Sequence, residues 1–410
     1  MGFYNILLPL KLEWLPLYSS SEDLHIGQRV SVVFCNKEYI GVVMGQNLDR
    51  DLDLKKILEI SNVDICLADI SERELALWKF ISNYYLCTLG EVYAAAYPKY
   101  RQTSEKKRGA LAQNCVSRDR VAGKPILYCA SDRLPYYISR LKDCLSSGFS
   151  AIVLVPEIEF ALNYKEAFEK EFPKSVFLYD ASVTPAKKRK LAEELRLAKT
   201  PRIILGARSS LFLPFSNLGL VIVDEEQDSS YKQVEPSPRY NARDVAAVLA
   251  SIHGADLLLG CYTPSLESWY NCKIGKYVLK ESVPTKKCRI EVVDIDAEKR
   301  KNGMTGEYSK KLLSKLKSQK GLVCIVRSYS SEESVAEFFK ERFDTMDPQI
   351  LTAYAAKKSA AKTSLMAILN ADSLFNNEDF RSDERAYQML RTLSLRTDNL
   401  FIQCRLMTHP

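Results

Sequence analysis

The stretch LVIVDEEQDSSYKQ, residues 220–233, runs four apolar residues directly into three acids and a glutamine. An unbroken apolar run of strand length belongs to a strand buried on both faces of a parallel sheet. Such sheets keep their ligand sites beyond the carboxyl ends of the strands, which is where these acids fall. Asp224 is placed to hold magnesium through water and Glu225 to orient an attacking water, the division of labour used in phosphoryl transfer. The plainer alternative is that the acids cap a helix or face solvent. The apolar strand immediately before them favours the first reading.

The flanking residues repeat the pattern. ILYCAS (126–131), AIVLVPE (151–157), VFLYDA (176–181), RIILGA (202–207) and DLLLGC (256–261) are strand-like, with 134–145, 158–172 and 185–197 helical between them. This alternation predicts an α/β lobe over 124–285 built on a parallel sheet. A smaller lobe over 286–410 is expected, with RIEVVDID, GLVCIV and LFIQCRL as strands and 308–317 and 332–343 as helices. Residues 1–100 read as β-rich with a helical end. There RVSVVF (29–34) and YIGVVM (39–44) flank CNKE, a hairpin signal, and S-E-R-E at 71–74 is a capping box. The stretch 101–123 is basic and small-polar and is expected to be a linker, with Arg101, Lys106, Lys107 and Arg108 as candidate phosphate contacts.

Composition narrows the function classes. At 410 residues, 46% apolar and 27% charged, the chain is of ordinary globular type and long enough for two or three domains. No apolar run reaches the ~18–20 residues of a membrane span, and the first residues lack the basic start and cleavage site of a signal peptide, so a cytoplasmic location is expected. The eleven cysteines form no C-x-x-C pair and only three histidines exist, which argues against zinc. A net charge of +7 permits a polyanionic partner without specifying one.

Several blocks carry a family resemblance. LVPEI (154–158), GARSSLFLPFSNLGLVIVDEEQDSSYKQ (206–233), RYNARDVA (239–246) and GCYTPSLESWYNCKIGKY (260–277) resemble PriA, the primosomal replication-restart helicases of bacteria. KFISNYYLCTLGEVYAAAYP (79–98) resembles the end of that family's amino-terminal DNA-binding domain, and ADSLFNNEDFRSDERAYQML (371–390) a late segment of its second motor lobe. The resemblance covers most of 1–285 and thins to patches beyond. It implies RecA-like, P-loop NTPase-like motor lobes, the second truncated, joined to a 3′-end-binding domain. It further implies descent from an ATP-dependent 3′–5′ DNA helicase, with branched, single-stranded or fork-like DNA and replication-restart proteins as partners. In the family an aromatic-rich loop, here 231–243, links DNA binding to ATP turnover. Its Tyr231, Lys232, Arg239, Tyr240 and Arg243 mix rings and cations as single-stranded nucleic acid requires. Arg208, Lys11, Arg29 and Lys37 are further candidate DNA contacts.

What should hold the phosphates is missing. A P-loop needs glycines whose N–H groups wrap the phosphates, then Lys and Ser/Thr opening a helix. The corresponding stretch, ILYCASDRLPYYISRL (126–141), has no glycine and no lysine. Asp132 adds negative charge there and Pro135 removes an N–H, which leaves Arg133 as the cation that could touch an anion. Gly123-Lys124 precedes the strand and lies at the wrong end of the sheet. The resemblance also exposes GCYT (260–263) where Gly-Ser-Ala-Thr is expected, Gln227 for histidine, and Asn399 at the place of the arginine finger. Arg396 is the remaining weak nucleotide contact. An arginine finger is worth roughly three to five orders of magnitude in turnover. The spacing further lacks the family's zinc cysteines and leaves little room for its winged-helix module. The expectation is a PriA-like DNA-binding protein without motor activity and without a resident cofactor. Mg-ATP, with Asp224 as the metal ligand, enters only if the motor runs on an unusual loop, and a protein-only primosome scaffold is a further alternative.

Overall fold

A computed structural model describes residues 1–48, 57–63, 67–98, 121–198, 200–282, 288–343, 347–359, 361–375 and 379–405. Most of the expected linker, including Arg101, Lys106, Lys107 and Arg108, lies outside them. Two compact units account for the chain: Met1–Leu127, Asp132–Gly260 and Gly275–Leu279 make the first, and Tyr128–Ser131, Cys261–Ile274 and Lys280–Pro410 the second.

The amino-terminal sheet contains β1 (Gly2–Leu7), β2 (Leu17–Ser20), β3 (Arg29–Phe34), β4 (Lys37–Gln46) and β5 (Leu58–Glu59), in the order β3-β4-β1-β2-β5. The β3–β4 hairpin is tighter than CNKE suggested. Phe34 pairs with Lys37, and only Cys35 and Asn36 turn, both at positive φ (48° and 59°). Two successive left-handed residues are the type I′ geometry that matches strand twist. Tyr4, Ile6, Leu8, Tyr18, Val30 and Val32 fill the core beneath this sheet.

Two helices follow, α1 (Glu72–Tyr84) and α2 (Leu89–Ala96), each opened by a complete capping box, Ser71 with Glu74 and Thr88 with Glu91. The buried face of α1 presents Leu75, Leu77, Trp78 and Ile81. Trp78 stacks on Tyr93 of α2 with centroids 5.4 Å apart. Gly90 is demanded by close packing, since a Cβ there would lie 1.9 Å from the Leu10 carbonyl oxygen.

The larger sheet uses β6 (Ile126–Cys129), β7 (Ser150–Leu154), β8 (Val176–Tyr179), β9 (Ile203–Gly206), β10 (Leu218–Asp224), β11 (Asp256–Cys261) and β12 (Val278–Glu281), in the order β12-β6-β11-β10-β7-β9-β8. From β11 through β10, β7 and β9 to β8 every pairing is parallel. The connecting helices are α3 (Leu134–Ser146), α4 (Ile158–Glu171), α5 (Pro185–Leu197), α6 (Ala242–His253) and α7 (Leu266–Lys273). Every residue of β7, β9 and β10 is buried, and each enclosed Val, Ile or Leu contributes about 1.5–3 kcal/mol. That burial explains why these strands read as unbroken apolar runs rather than as alternation.

The second unit carries β13 (Arg289–Asp294), α8 (Ile295–Lys301), β14 (Met304–Thr305), β15 (Tyr308–Ser309), α9 (Lys310–Ser318), β16 (Val323–Arg327), α10 (Glu332–Arg342), β17 (Gln349–Thr352), α11 (Ala353–Lys358), β18 (Leu365–Ile368), α12 (Ser382–Ser394) and β19 (Asn399–Cys404). Its five-stranded sheet has the order β13-β19-β18-β16-β17 and is parallel throughout. Among the described residues no helix is long and apolar enough to cross a membrane.

One buried histidine gives the first unit a pH dependence. His253, in the last turn of α6, is 6% exposed, and its Nδ1 has no partner among the described residues. Burial first, and then the Arg73 guanidinium, push its imidazole down to about 4, while Glu74 pulls weakly the other way. The unfolded chain therefore binds more protons than the folded one between about pH 6.5 and pH 4, and stability falls as pH drops through that window. His253→Gln should flatten that limb of the urea-unfolding stability profile by on the order of 3 kcal/mol at its acid end.

Candidate functional site

β10 delivers Asp224 to the end of the sheet, opposite Gly260 of β11. The chain then turns at once: Glu225 has φ of 51°, a left-handed conformation uncommon outside glycine. Glu226 N–H donates to Gly260 O at 3.1 Å, and Asp228 N–H to Glu225 O at 2.8 Å. Asp224 is 2% exposed. So far this is the arrangement the sequence predicts.

The occupant of the acid pair is Arg133. Its Nε donates to Asp224 Oδ1 at 2.7 Å, and its Nη2 is bonded to Glu225 Oε1. Tyr137 Oη donates to the same Asp224 Oδ1 at 2.7 Å, and Tyr164 Oη to Asp224 Oδ2 at 2.7 Å. Glu225 Oε2 accepts from Gln227 Nε2 at 2.7 Å. Arg133 is the last residue before α3 and Tyr137 lies four residues on, so both project from one helical face toward β10. Gly260 leaves room for them, since a Cβ there would sit 1.6 Å from Tyr137 Oη.

Electrostatics lock this arrangement. Burial works against the charge on Arg133, but the Asp224 and Glu225 carboxylates outweigh it and lift the guanidinium well above its ordinary value. Burial, reinforced by Asp224, pushes the Tyr137 and Tyr164 phenols well up. Both hydroxyls therefore stay protonated and act as donors. Asp224 carries three donors on a group with about four acceptor positions. A magnesium–nucleotide does not fit these residues: a metal would have to displace a buried cation from both carboxylates, and the preceding turn offers no cradle. The carboxylate of Asp132 already accepts from the N–H of Leu134 at the start of α3, at 3.2 Å.

The other expected site residues separate into enclosed and exposed groups. Tyr231 is fully buried, with its hydroxyl donating to Leu154 O and Asp224 O. Tyr240 is 2% exposed and packs edge-on against Phe212. Neither ring is at the surface where a base could stack. Arg243 is also enclosed, paired with Glu226 at 3.3 Å and Asp244 at 3.0 Å. Arg29, proposed as a phosphate contact, is buried in the amino-terminal domain; its Nε donates to Ala68 O at 2.7 Å, and its guanidinium lies over the Tyr97 ring. Arg208 braces the loop by donating to Ser230 O and Lys232 O. Lys11, Lys37, Lys232 and Arg239 are exposed. In the second unit Arg396 donates to Lys357 O at 3.4 Å, and Asn399 Nδ2 to Ser364 O at 2.8 Å. There Tyr262 lies under the Arg391 guanidinium, 5.1 Å from ring to cation.

Tyr137 and Tyr164 were missed in the sequence. The i, i+4 spacing of Arg133 and Tyr137 was available as a signal; Tyr164, from a helix far along the chain, left none.

Comparison with known proteins fits this architecture. Residues 5–98 match the family model described as the PriA 3′ DNA-binding domain. The replication restart protein PriA of Rickettsia typhi is 34% identical over 323 residues, which is 73% of this chain and 49% of that protein. PriA of Helicobacter pylori strain J99 is 30% identical over 66% of this chain and 44% of its own length. PriA of Bacillus subtilis is 36% identical over 45% of this chain and 23% of its own. The chain thus spans about half the length of the first of these relatives. A solved structure of RecG bound to a three-way DNA junction is similar at a TM-score of 0.43 and 14% identity, over 82% of this chain and 43% of that one, and adds nothing to the sheet order above. From its 3′ DNA-binding domain into its parallel-sheet lobe, this chain belongs to the PriA replication-restart family.

Proposed function

We propose that the chain is a DNA-binding PriA relative in which an internal arginine stands where a metal–nucleotide would bind, so that it grips single-stranded or fork-like DNA without ATP-driven unwinding. The observation that carries this reading is Arg133 seated on Asp224 and Glu225, closed in by Tyr137 and Tyr164. Catalysis of phosphoryl transfer needs those carboxylates free for a metal and a water. In this proposal residues 1–100 form the DNA-gripping domain, 101–123 a basic linker, 124–285 the closed lobe and 286–410 a reduced second lobe. The exposed Lys11, Lys37, Lys232 and Arg239 supply phosphate contacts, and other replication-restart proteins are the partners.

The test is DNA-stimulated phosphate release by the full chain beside fork-DNA binding. The reading expects fork DNA to be bound and release to stay at the level of an Asp224→Asn/Glu225→Gln variant. Steady hydrolysis that this double variant abolishes would overturn it.

A further inference from the structure

Two cysteines far apart in the chain meet at the carboxyl ends of their strands. Cys129 is the last residue of β6 and Cys261 the last of β11, and both fall in the second unit. β6 and β11 are neighbours in their sheet, and Ala130 N–H donates to Cys261 O at 2.9 Å, so backbone bonding fixes the register at this point. The two Sγ atoms stand 3.4 Å apart. Hydrogen-bonded strands run about 4.8 Å apart, inside the window of roughly 4.4–6.8 Å that disulfides span between Cα atoms. A bond between these sulfurs therefore asks for side-chain torsion rather than movement of the strands.

The two thiols differ in access. Cys129 is half-buried, whereas Cys261 is fully enclosed. An oxidant arriving from solvent meets Cys129 first, with Cys261 behind it as the second thiol. Other cysteines are poorer candidates. Burial, and then Glu91, pushes the Cys87 thiol up to about 11, and burial takes Cys324 up to about 12. Little of either is thiolate, which is the form that reacts. Cys144 is buried, and its thiol donates to Phe149 O at 3.5 Å.

We propose that Cys129 and Cys261 are a redox-modification site that closes into a reversible intrachain disulfide, with hydrogen peroxide as the oxidant. The Cys129 thiolate attacks one peroxide oxygen and the O–O bond breaks, which leaves a sulfenic acid on Cys129 and releases one water after proton uptake. The Cys261 sulfur then attacks the Cys129 sulfur, the S–O bond breaks and a second water leaves. Two thiols and one peroxide thus become one disulfide and two waters. A dithiol reverses the step by exchange and is itself oxidised to a disulfide. The bridge closes residues 129–261 into a loop that includes Arg133, Asp224 and Glu225. Closing so long a loop takes freedom from the unfolded chain, so the oxidised form is the more stable one. None of this depends on whether the chain grips DNA or hydrolyses nucleotide.

The test uses the full chain, first reduced and then treated with hydrogen peroxide. After the remaining thiols are alkylated and the chain digested, mass spectrometry should find the Cys129 peptide joined to the Cys261 peptide, two hydrogens lighter than the separate pair. Oxidation should raise the melting temperature by about 5–10 °C, and dithiothreitol should return it to the starting value. Cys261→Ser should lose both the cross-link and the shift, and should hold on Cys129 a sulfenic acid that dimedone traps. Cys129→Ser should leave Cys261 unmodified at the same peroxide dose. The wild-type peptide map decides the matter even where a variant fails to fold. A wild-type chain that yields no such cross-link, or carries only sulfinic acid on Cys129, overturns the proposal. So does a cross-linked form that melts where the reduced form does.

Discussion

Arg133→Ala is expected to destabilise the first unit by about 3–5 kcal/mol, the loss that follows when one partner of a buried ion pair is removed. The reason is what remains. Asp224 is enclosed at the end of β10, and Glu225 follows it with a side chain 13% exposed. Without the guanidinium these two carboxylates repel each other, and the side-chain donors left on them among the described residues are the neutral Tyr137, Tyr164 and Gln227. Two further variants separate this from a packing loss. Adding Asp224→Asn and Glu225→Gln to Arg133→Ala removes the charges that need compensation and should recover most of the stability. Millimolar Mg²⁺ or Mn²⁺ should raise the melting temperature of Arg133→Ala but not of wild type, because paired carboxylates are hard oxygen ligands once the resident cation is gone. Urea unfolding of Arg133→Ala within about 0.5 kcal/mol of wild type would show that the arginine is not the partner these acids depend on.

Glu74→Ala should be the next most damaging substitution, at about 3–5 kcal/mol. Glu74 closes the capping box of α1 by accepting from Ser71 N–H at 3.0 Å and Ser71 Oγ at 2.9 Å. The same carboxylate accepts from Tyr97 Oη at 2.7 Å and Arg196 Nη1 at 3.1 Å, so it ties α1 to α5. Burial pushes the Glu74 carboxyl up, but Arg196, Tyr97 and Ser71 together outweigh it and hold the group below the usual carboxylate range. Its contribution is therefore complete above that range and is lost as pH falls through the lowered value. Truncation strands the Arg196 guanidinium in a site that suits it only as a paired cation. Pairing Glu74→Ala with Arg196→Met should restore a large part of the loss; if the two losses simply add, the pair is not coupled.

The fold was largely legible because burial on both faces writes itself into sequence as unbroken apolar runs. Ile152, Val153, Leu205, Val221, Ile222 and Leu258 all sit in buried strands where such runs placed them, and the parallel pairing of β7 to β11 follows from the helices that alternate with them, although the strand order does not. The capping boxes at Ser71 and Thr88 are equally local signals, and the first was read correctly. The hairpin turn is two residues shorter than CNKE implies, because Cys35-Asn36 is an unusual pair for a type I′ turn. The site was legible in part. The position of Asp224 at the end of a strand buried along its whole length is legible in the apolar run ahead of it, and 126–141 contains neither glycine nor lysine. What fills the site was not legible, since Arg133 was expected to reach for an external anion and its anions are internal. Residue type also misled at Tyr231, Tyr240, Arg243 and Arg29. Rings and cations have the same letters whether they face solvent or complete a core, and only tertiary packing distinguishes them. Trp14 is the converse, an apolar residue that local pattern gives no reason to place at the surface.

The most direct measurement is calorimetric titration of Mg-ATP into the full chain, with and without fork DNA. If Arg133 has taken the place of the metal–nucleotide, wild type gives no binding heat up to about 1 mM nucleotide. Saturable micromolar binding to wild type that disappears on Asp224→Asn would contradict it.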